Sequence, residues 1–257
     1  MGHAPHPRQQ DEGLAVGQPG LPFAPTLAAD LPAPEDHWAL LAPALREACA
    51  ADPCLDDYVR RLPAEEMPDI AYYPRLSRDL QKLKVRNLIY PIKDGLHVHV
   101  YPDPVGARDY YITIEPNLLV NVDVLCEQVE TRLLEYAEEI GKTTSDEEKR
   151  EMLLDILDEL CTTDPDERGG RLSVTPRERE ALRYQLLRQK MGLGVLQPLL
   201  QDPHIEDISC SGVGPVFIEH KIFRSLQSSI VFETHDELDD FVVWMGECIK
   251  RPVTVRN

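Results

Sequence analysis

The sequence predicts an α+β protein, and three observations point there. Residues 96–101 alternate strictly, with Leu96, Val98 and Val100 on one side and His97, His99 and Tyr101 on the other, which is the period of a strand. Asp94-Gly95 lies between that run and Val85–Ile92, a turn pair that joins antiparallel strands. The 3.6-residue period then takes over for two long runs, 121–140 and 145–160, so strands and helices are segregated along the chain.

Taken in order, residues 1–36 are rich in Pro, Gly and Ala without apolar periodicity, and read as a disordered tail. Asp36 is the expected N-cap of a first helix reaching Ala50, with Pro43 able to restart it, and a short helix follows over Cys54–Leu62. Val85–Ile92, Leu96–Tyr101 and Tyr110–Ile114 should form an antiparallel meander. Val122, Leu125, Val129, Leu133, Leu134 and Ala137 mark the apolar stripe of the next helix, which Gly141 ends. Ser145 and Glu148 have capping-box spacing ahead of a core face made by Met152, Leu153, Ile156, Leu157 and Leu160.

Thr162–Gly170 reads as a linker. The expected organisation is therefore a tail (1–36), a helix and antiparallel-sheet domain (37–162), a linker (163–170) and a second unit (171–257). That second unit opens with a helix, Pro176 at its first position. It continues through strands near Ile205–Cys210, Pro215–His220 and Ser229–Phe232. A last helix, Leu238–Lys250, should turn Leu238, Phe241, Val242, Met245 and Ile249 inward. The pattern is that of a small α/β-sandwich-like, PAS-like unit. Val253–Val255 looks like the first residues of another strand, so the unit reads as incomplete at its C-terminus, because a strand's ladder bonds need a partner.

Composition narrows function. The chain has 45 acidic and 27 basic residues, a formal charge of −18, which repels phosphate backbones and anionic lipid; nucleic acid is not an expected partner. Only 8 of the basic residues are Lys against 19 Arg. A dense carboxylate surface of this kind suits a high-salt cytoplasm, where self-repulsion is screened. The six cysteines form no C-x-x-C pair and no metal spacing with His. The first twenty residues do not resemble a secretory signal, and no run approaches the roughly 20 apolar residues a membrane span needs. A reducing, cytoplasmic setting is expected.

Few residues suggest chemistry. Gly141-Lys142-Thr143 ends like a phosphate loop, but Tyr136 occupies the first glycine position and the run before it is helical. His97 and His99 share a strand face, read as a polar outer face. Cys210 and Cys248 read as small core residues, and Glu206 and Asp207 as surface or capping groups pointing to opposite strand faces. No catalytic, cofactor-binding or metal-binding residue emerges. Arg179 and Arg183, one helical turn apart and flanked by Arg177 and Arg188, form a basic ridge that is the one candidate interface.

The run Gly192-Leu193-Gly194-Val195-Leu196-Gln197-Pro198-Leu199-Leu200, followed by Asp202-Pro203-His204-Ile205-Glu206-Asp207-Ile208, the Gly212-Val213-Gly214 turn and Val216-Phe217-Ile218, resembles the type II/IV secretion ATPase superfamily. Asn87–Ile92, His97–Asp103, Asp109–Ile112 and Glu115-Pro116 are similar to its archaeal branch, which includes pilus and archaellum motors. The resemblance implies an N-terminal coupling and oligomerisation region, cytoplasmic and peripheral to the inner face of the cell membrane. Its implied partners are a RecA-like ATPase core, neighbouring subunits of a hexamer and a membrane platform protein. ATP and Mg are implied for a full-length family member only, since the motifs that bind them lie beyond residue 257. The alternative is a free-standing adaptor that keeps only the motor's N-terminal fold.

Overall fold

The computed structural model describes residues 21–22, 38–63, 67–103, 108–118, 120–164, 169–251 and 253. The fold is α+β; among the described residues there are eight α-helices, from Pro43 onward, and a seven-stranded, mostly antiparallel sheet. Most of the expected tail, Asp36, and most of Val253–Val255 lie outside the described residues.

Pro43 does restart the first helix: residues 38–40 are helical, the chain breaks at 41–42, and α1 runs over Pro43–Ala51 with proline in its first turn. The Asp52 carboxylate accepts from the amides of Cys54 and Leu55 and so caps α2, Pro53–Arg60. Strand β1 (Ala71–Tyr72) lies parallel to β2 (Leu88–Pro91). β2, β3 (His97–Tyr101) and β4 (Tyr110–Ile114) form the expected meander. Asp94 and Gly95 both have positive φ, 59° and 75°, the geometry that matches a tight turn to strand twist.

This half of the sheet is covered on both faces. Leu88, Tyr90, Val98, Val100 and Tyr111 belong to one core cluster. Ile89, Tyr101, Ile112 and Ile114 face the opposite way and pack with Leu45, Leu55, Tyr58 and Val59 of the α1–α2 pair. The reading of His97 and His99 as an outer polar face is therefore corrected. They are 7% and 0% exposed, because the helix pair covers their face and supplies partners: Asp52 Oδ2 at 3.2 Å from His97 Nδ1, and the Tyr58 hydroxyl at 2.9 Å from His99 Nδ1.

A helical layer follows. α3 (Asp123–Leu133) passes through a 3₁₀ turn at Leu134–Tyr136 into α4 (Ala137–Ile140). The tighter turn rotates the following residues out of the α period, which corrects the expected stripe: Leu134 and Ala137 are exposed, and Tyr136 and Ile140 pack on the bundle instead. α5 (Asp146–Leu160) is capped by Ser145, while the Glu148 carboxylate reaches Thr144 rather than Ser145. Short strands β5 (Cys161–Thr162) and β6 (Leu172–Ser173) pair in parallel. α6 (Pro176–Lys190) carries a full Thr175/Glu178 capping box.

After α6, a 3₁₀ turn at Gly194–Leu196 leads to α7 (Gln197–Gln201), then β7 (Ile205–Ser209), β8 (Gly214–His220) and β9 (Arg224–Phe232). Thr234 caps α8, His235–Cys248. Strand order is β1-β2-β3-β4-β9-β8-β7, with β9 parallel to β4. Ile208, Ile218 and Leu226 face the same core as Tyr90 and Val98, together with Val195, Leu199 and Phe241. Packing thus crosses residues 163–170 at several places: the β5–β6 and β4–β9 pairs, the core shared by the two parts of the sheet, and the cluster shared by α3, α5 and α6.

Two further expectations are corrected. Cys210 and Cys248 are exposed, one past the end of β7 and the other in the last turn of α8. In α8, Phe241, Leu238, Trp244 and Met245 pack inward, whereas Ile249 is 49% exposed and Val242 half-buried. The helix ends at Cys248, so Ile249 has left its period. No described helix is long and apolar enough to cross a membrane.

Candidate functional site

The motif residues sit at joints of the fold. Gly192 closes against the Arg188 carbonyl and Gln197 Oε1, each 2.8 Å from where a Cβ would stand. Gly194 has φ +51° and lies under the Trp244 ring, whose nearest atom is 3.0 Å from that same position. Gln197 Oε1 accepts from the Leu193 amide at 2.9 Å. The G-x-G spacing therefore serves a sharp exit from α6 and the close seating of α8.

Asp202 follows α7 and is 3% exposed. Its Oδ1 accepts from the His204 amide at 2.8 Å, an Asx turn across Pro203. Its Oδ2 accepts the Tyr90 hydroxyl of β2 at 2.6 Å and the Tyr111 hydroxyl of β4 at 2.9 Å. Burial, with the adjacent carboxylate, pushes both phenols well above their ordinary range, so both remain donors. His220 completes the cluster. Its Nδ1 accepts from the amides of Ile222 and Phe223 at 3.1 and 3.2 Å. The ring proton must then sit on Nε2, 3.3 Å from the Tyr90 oxygen. Burial lowers His220 to about 4, and the ring stacks on Phe223 with centroids 4.9 Å apart. Every donor in this chain has an acceptor, which makes it a rigid joint between the motif and the meander.

α6 carries the second polar cluster. Arg177 Nη1 lies 2.8 Å from Asp57 Oδ1, and Arg61 Nε approaches the same carboxylate at 2.9 Å. Asp57 is held below its ordinary range: burial opposes the charge, and the two guanidiniums outweigh it. Gln185 Oε1 accepts from Asn117 Nδ2 at 2.6 Å, and Arg188 pairs with Glu115 while stacking over Tyr184. The predicted interface residues face elsewhere. Arg179 Nη2 and Arg183 Nη1 both approach Asp158 Oδ1 of α5, at 2.8 and 3.9 Å, and about a third of each side chain stays exposed. Their ridge pairs with α5 and keeps an exposed edge.

Sequence reasoning missed Tyr90, Tyr111 and His220; the available signal was one polar-headed residue on the core-facing side of each of β2, β4 and β8. Glu206 and Asp207 are exposed on edge strand β7, where an irregularity between Ile205 and Asp207 interrupts strict alternation. The chain's Gly-Lys-Thr run does not fit a nucleotide: Gly141 has helical φ −68°, and Lys142 Nζ is 2.8 Å from Glu138 in the preceding turn. Among the described residues no cluster of three or more His, Cys, Asp or Glu could hold a metal.

No family model matches the chain. It is 32% identical over 227 residues to the uncharacterized protein MJ0900 of Methanocaldococcus jannaschii, covering 83% of this chain and 41% of that protein. It is 31% identical over 160 residues to the uncharacterized protein MJ1288 of the same organism, covering 60% of each. The chain therefore spans about two fifths of the first relative and three fifths of the second.

Proposed function

We propose that this chain is the N-terminal coupling and oligomerisation region of a type II/IV secretion-type ATPase that powers pilus, archaellum or protein-export assembly. Its partners on this reading are a RecA-like ATPase core, neighbouring subunits and a membrane platform protein, on the cytoplasmic side of the membrane. The observation that carries it is the Asp202 joint. The motif that resembles the motor family is tied by two hydroxyl bonds into β2 and β4, so a push on α7 or β7 is passed to the sheet without a slack element.

The test is association. The purified chain is titrated with a separately produced RecA-like core of a secretion-type ATPase from the same genome, followed by sedimentation and ATP turnover. The expected result is a defined complex with altered turnover, in which Asp202→Asn binds but loses the effect on turnover. No complex at about 100 μM of each partner, well above typical transient affinities, overturns the reading. One observation favours the adaptor alternative: MJ1288 shares 60% of each partner's length, so a relative of similar size exists. Binding to the membrane platform protein without binding to the core would support it.

A further inference from the structure

α6 has two unlike long faces. Ala181, Leu182 and Leu186 are buried in the cluster formed with α3 and α5. Arg177, Tyr184, Gln185 and Arg188 fall at i, i+7, i+8 and i+11, one line along the helix. That line meets the sheet body through polar contacts: Arg177 on Asp57, Gln185 with Asn117, Arg188 on Glu115. The bundle's buried apolar residues form their own cluster, separate from the two that flank the sheet. No bundle helix packs extensively on a strand of the seven-stranded sheet.

This seam is imperfectly satisfied. Tyr184 Oη, Arg188 Nε and Asn117 Oδ1 are buried there without a hydrogen bond of normal geometry, each a cost to the closed arrangement. A recess of about one water's volume, lined by Asp57, Glu115 and Arg177 beside Tyr58, Ile114 and Leu118, lies at one end of it. On release Asp57 keeps its ion pair with Arg61, and Glu115 keeps the Thr113 hydroxyl as a donor at 2.8 Å while water replaces Arg188. Polar seams between separately cored layers open at lower free energy than the cores themselves. Among the described residues the chain crosses the seam at 116–118 with 120–122, and at 191–194.

We propose that the α3–α5–α6 bundle is a clamp that docks on the sheet body through the polar line of α6 and swings off as one unit about those two crossings. The inference stands on this chain alone and does not need the motor reading. The experiment is amide hydrogen exchange on the full chain, wild type against Arg188→Ala and Glu115→Gln. The expected result is exchange at least about tenfold faster in 115–122 and 188–194, equivalent to some 1.4 kcal/mol, with α5, β2 and β8 at wild-type protection. The charge swap Glu115→Arg with Arg188→Glu should recover part of the lost protection. Acceleration spread evenly over both layers, or no change in 115–122 in either single variant, overturns the clamp. Glu115→Gln preserves size and shape, so it carries the test if Arg188→Ala fails to fold.

Discussion

His99 shows how a single buried ring shapes the chain's response to acid. It is fully buried, with Tyr58 Oη at 2.9 Å from Nδ1 and Asn87 Oδ1 at 2.7 Å from Nε2. Burial lowers its pKa from 6.5 to about 3, and that of His220 to about 4. Below pH 6.5 the unfolded chain takes up protons that the folded chain refuses. Stability therefore falls with falling pH from 6.5 down to those folded values, by about 1.4 kcal/mol per pH unit for each histidine. Asp52 and Asp57 act in a lower window. Both are shifted below 3.8 despite burial, so their contribution is intact above pH 4 and is lost only on further acidification. Urea titrations between pH 6.5 and 4.5 should show the two-histidine slope, and His99→Gln should remove about half of it. An unchanged slope in that variant would assign the acid sensitivity elsewhere.

At the scale of elements, Gly194 is the position where sequence and packing meet most tightly. A side chain there faces two independent penalties: a left-handed backbone, costing roughly 1–2 kcal/mol, and a Cβ 3.0 Å from Trp244. Gly194→Ala should lose about 2–4 kcal/mol by denaturant titration, with a shift in tryptophan emission as the Trp244 ring is displaced. Trp244→Leu should lessen the loss in Gly194→Ala but not abolish it, since the φ penalty remains. The same element scale shows what was legible. Alternation and Asp94-Gly95 located β2 and β3, and Ser145 and Pro176 located helix starts, because caps and turns are local chemistry. The first part of β9 was not legible. Arg224-Ser225-Leu226-Gln227-Ser228 has little β signal, and it is held in place by pairing to β8 and β4, contacts that are distant in sequence. The burial of His97 and His99 was likewise invisible, since it depends on a helix pair some forty residues away. The Asp202 joint was readable as a motif but not as a joint.

At the scale of the molecule, two long-range assemblies decide what can fold alone. The principal core takes Leu80, Leu88, Tyr90, Val98, Val100 and Tyr111 from before residue 163, and Val195, Leu199, Val216, Ile218, Phe223, Leu226 and Phe241 from after it. β9 gains its second neighbour only when β4 is present, and α6 buries Leu182 and Leu186 only against α3 and α5. A fragment spanning 171–257 would expose half of one core and most of another, at about 25 cal/mol for each Å² of apolar surface left in water. Asp202 would also lose both of its tyrosine donors, leaving a carboxylate set in an apolar wall. Expressed alone, this fragment should lack a cooperative thermal transition and bind hydrophobic dye. Adding residues 38–164 in trans should restore both β4–β9 pairing and a single transition. A fragment that unfolds cooperatively without its partner would mean that the C-terminal strands and α8 hold a sufficient core of their own, and that the β4–β9 pair is an association between two stable bodies rather than a condition for folding.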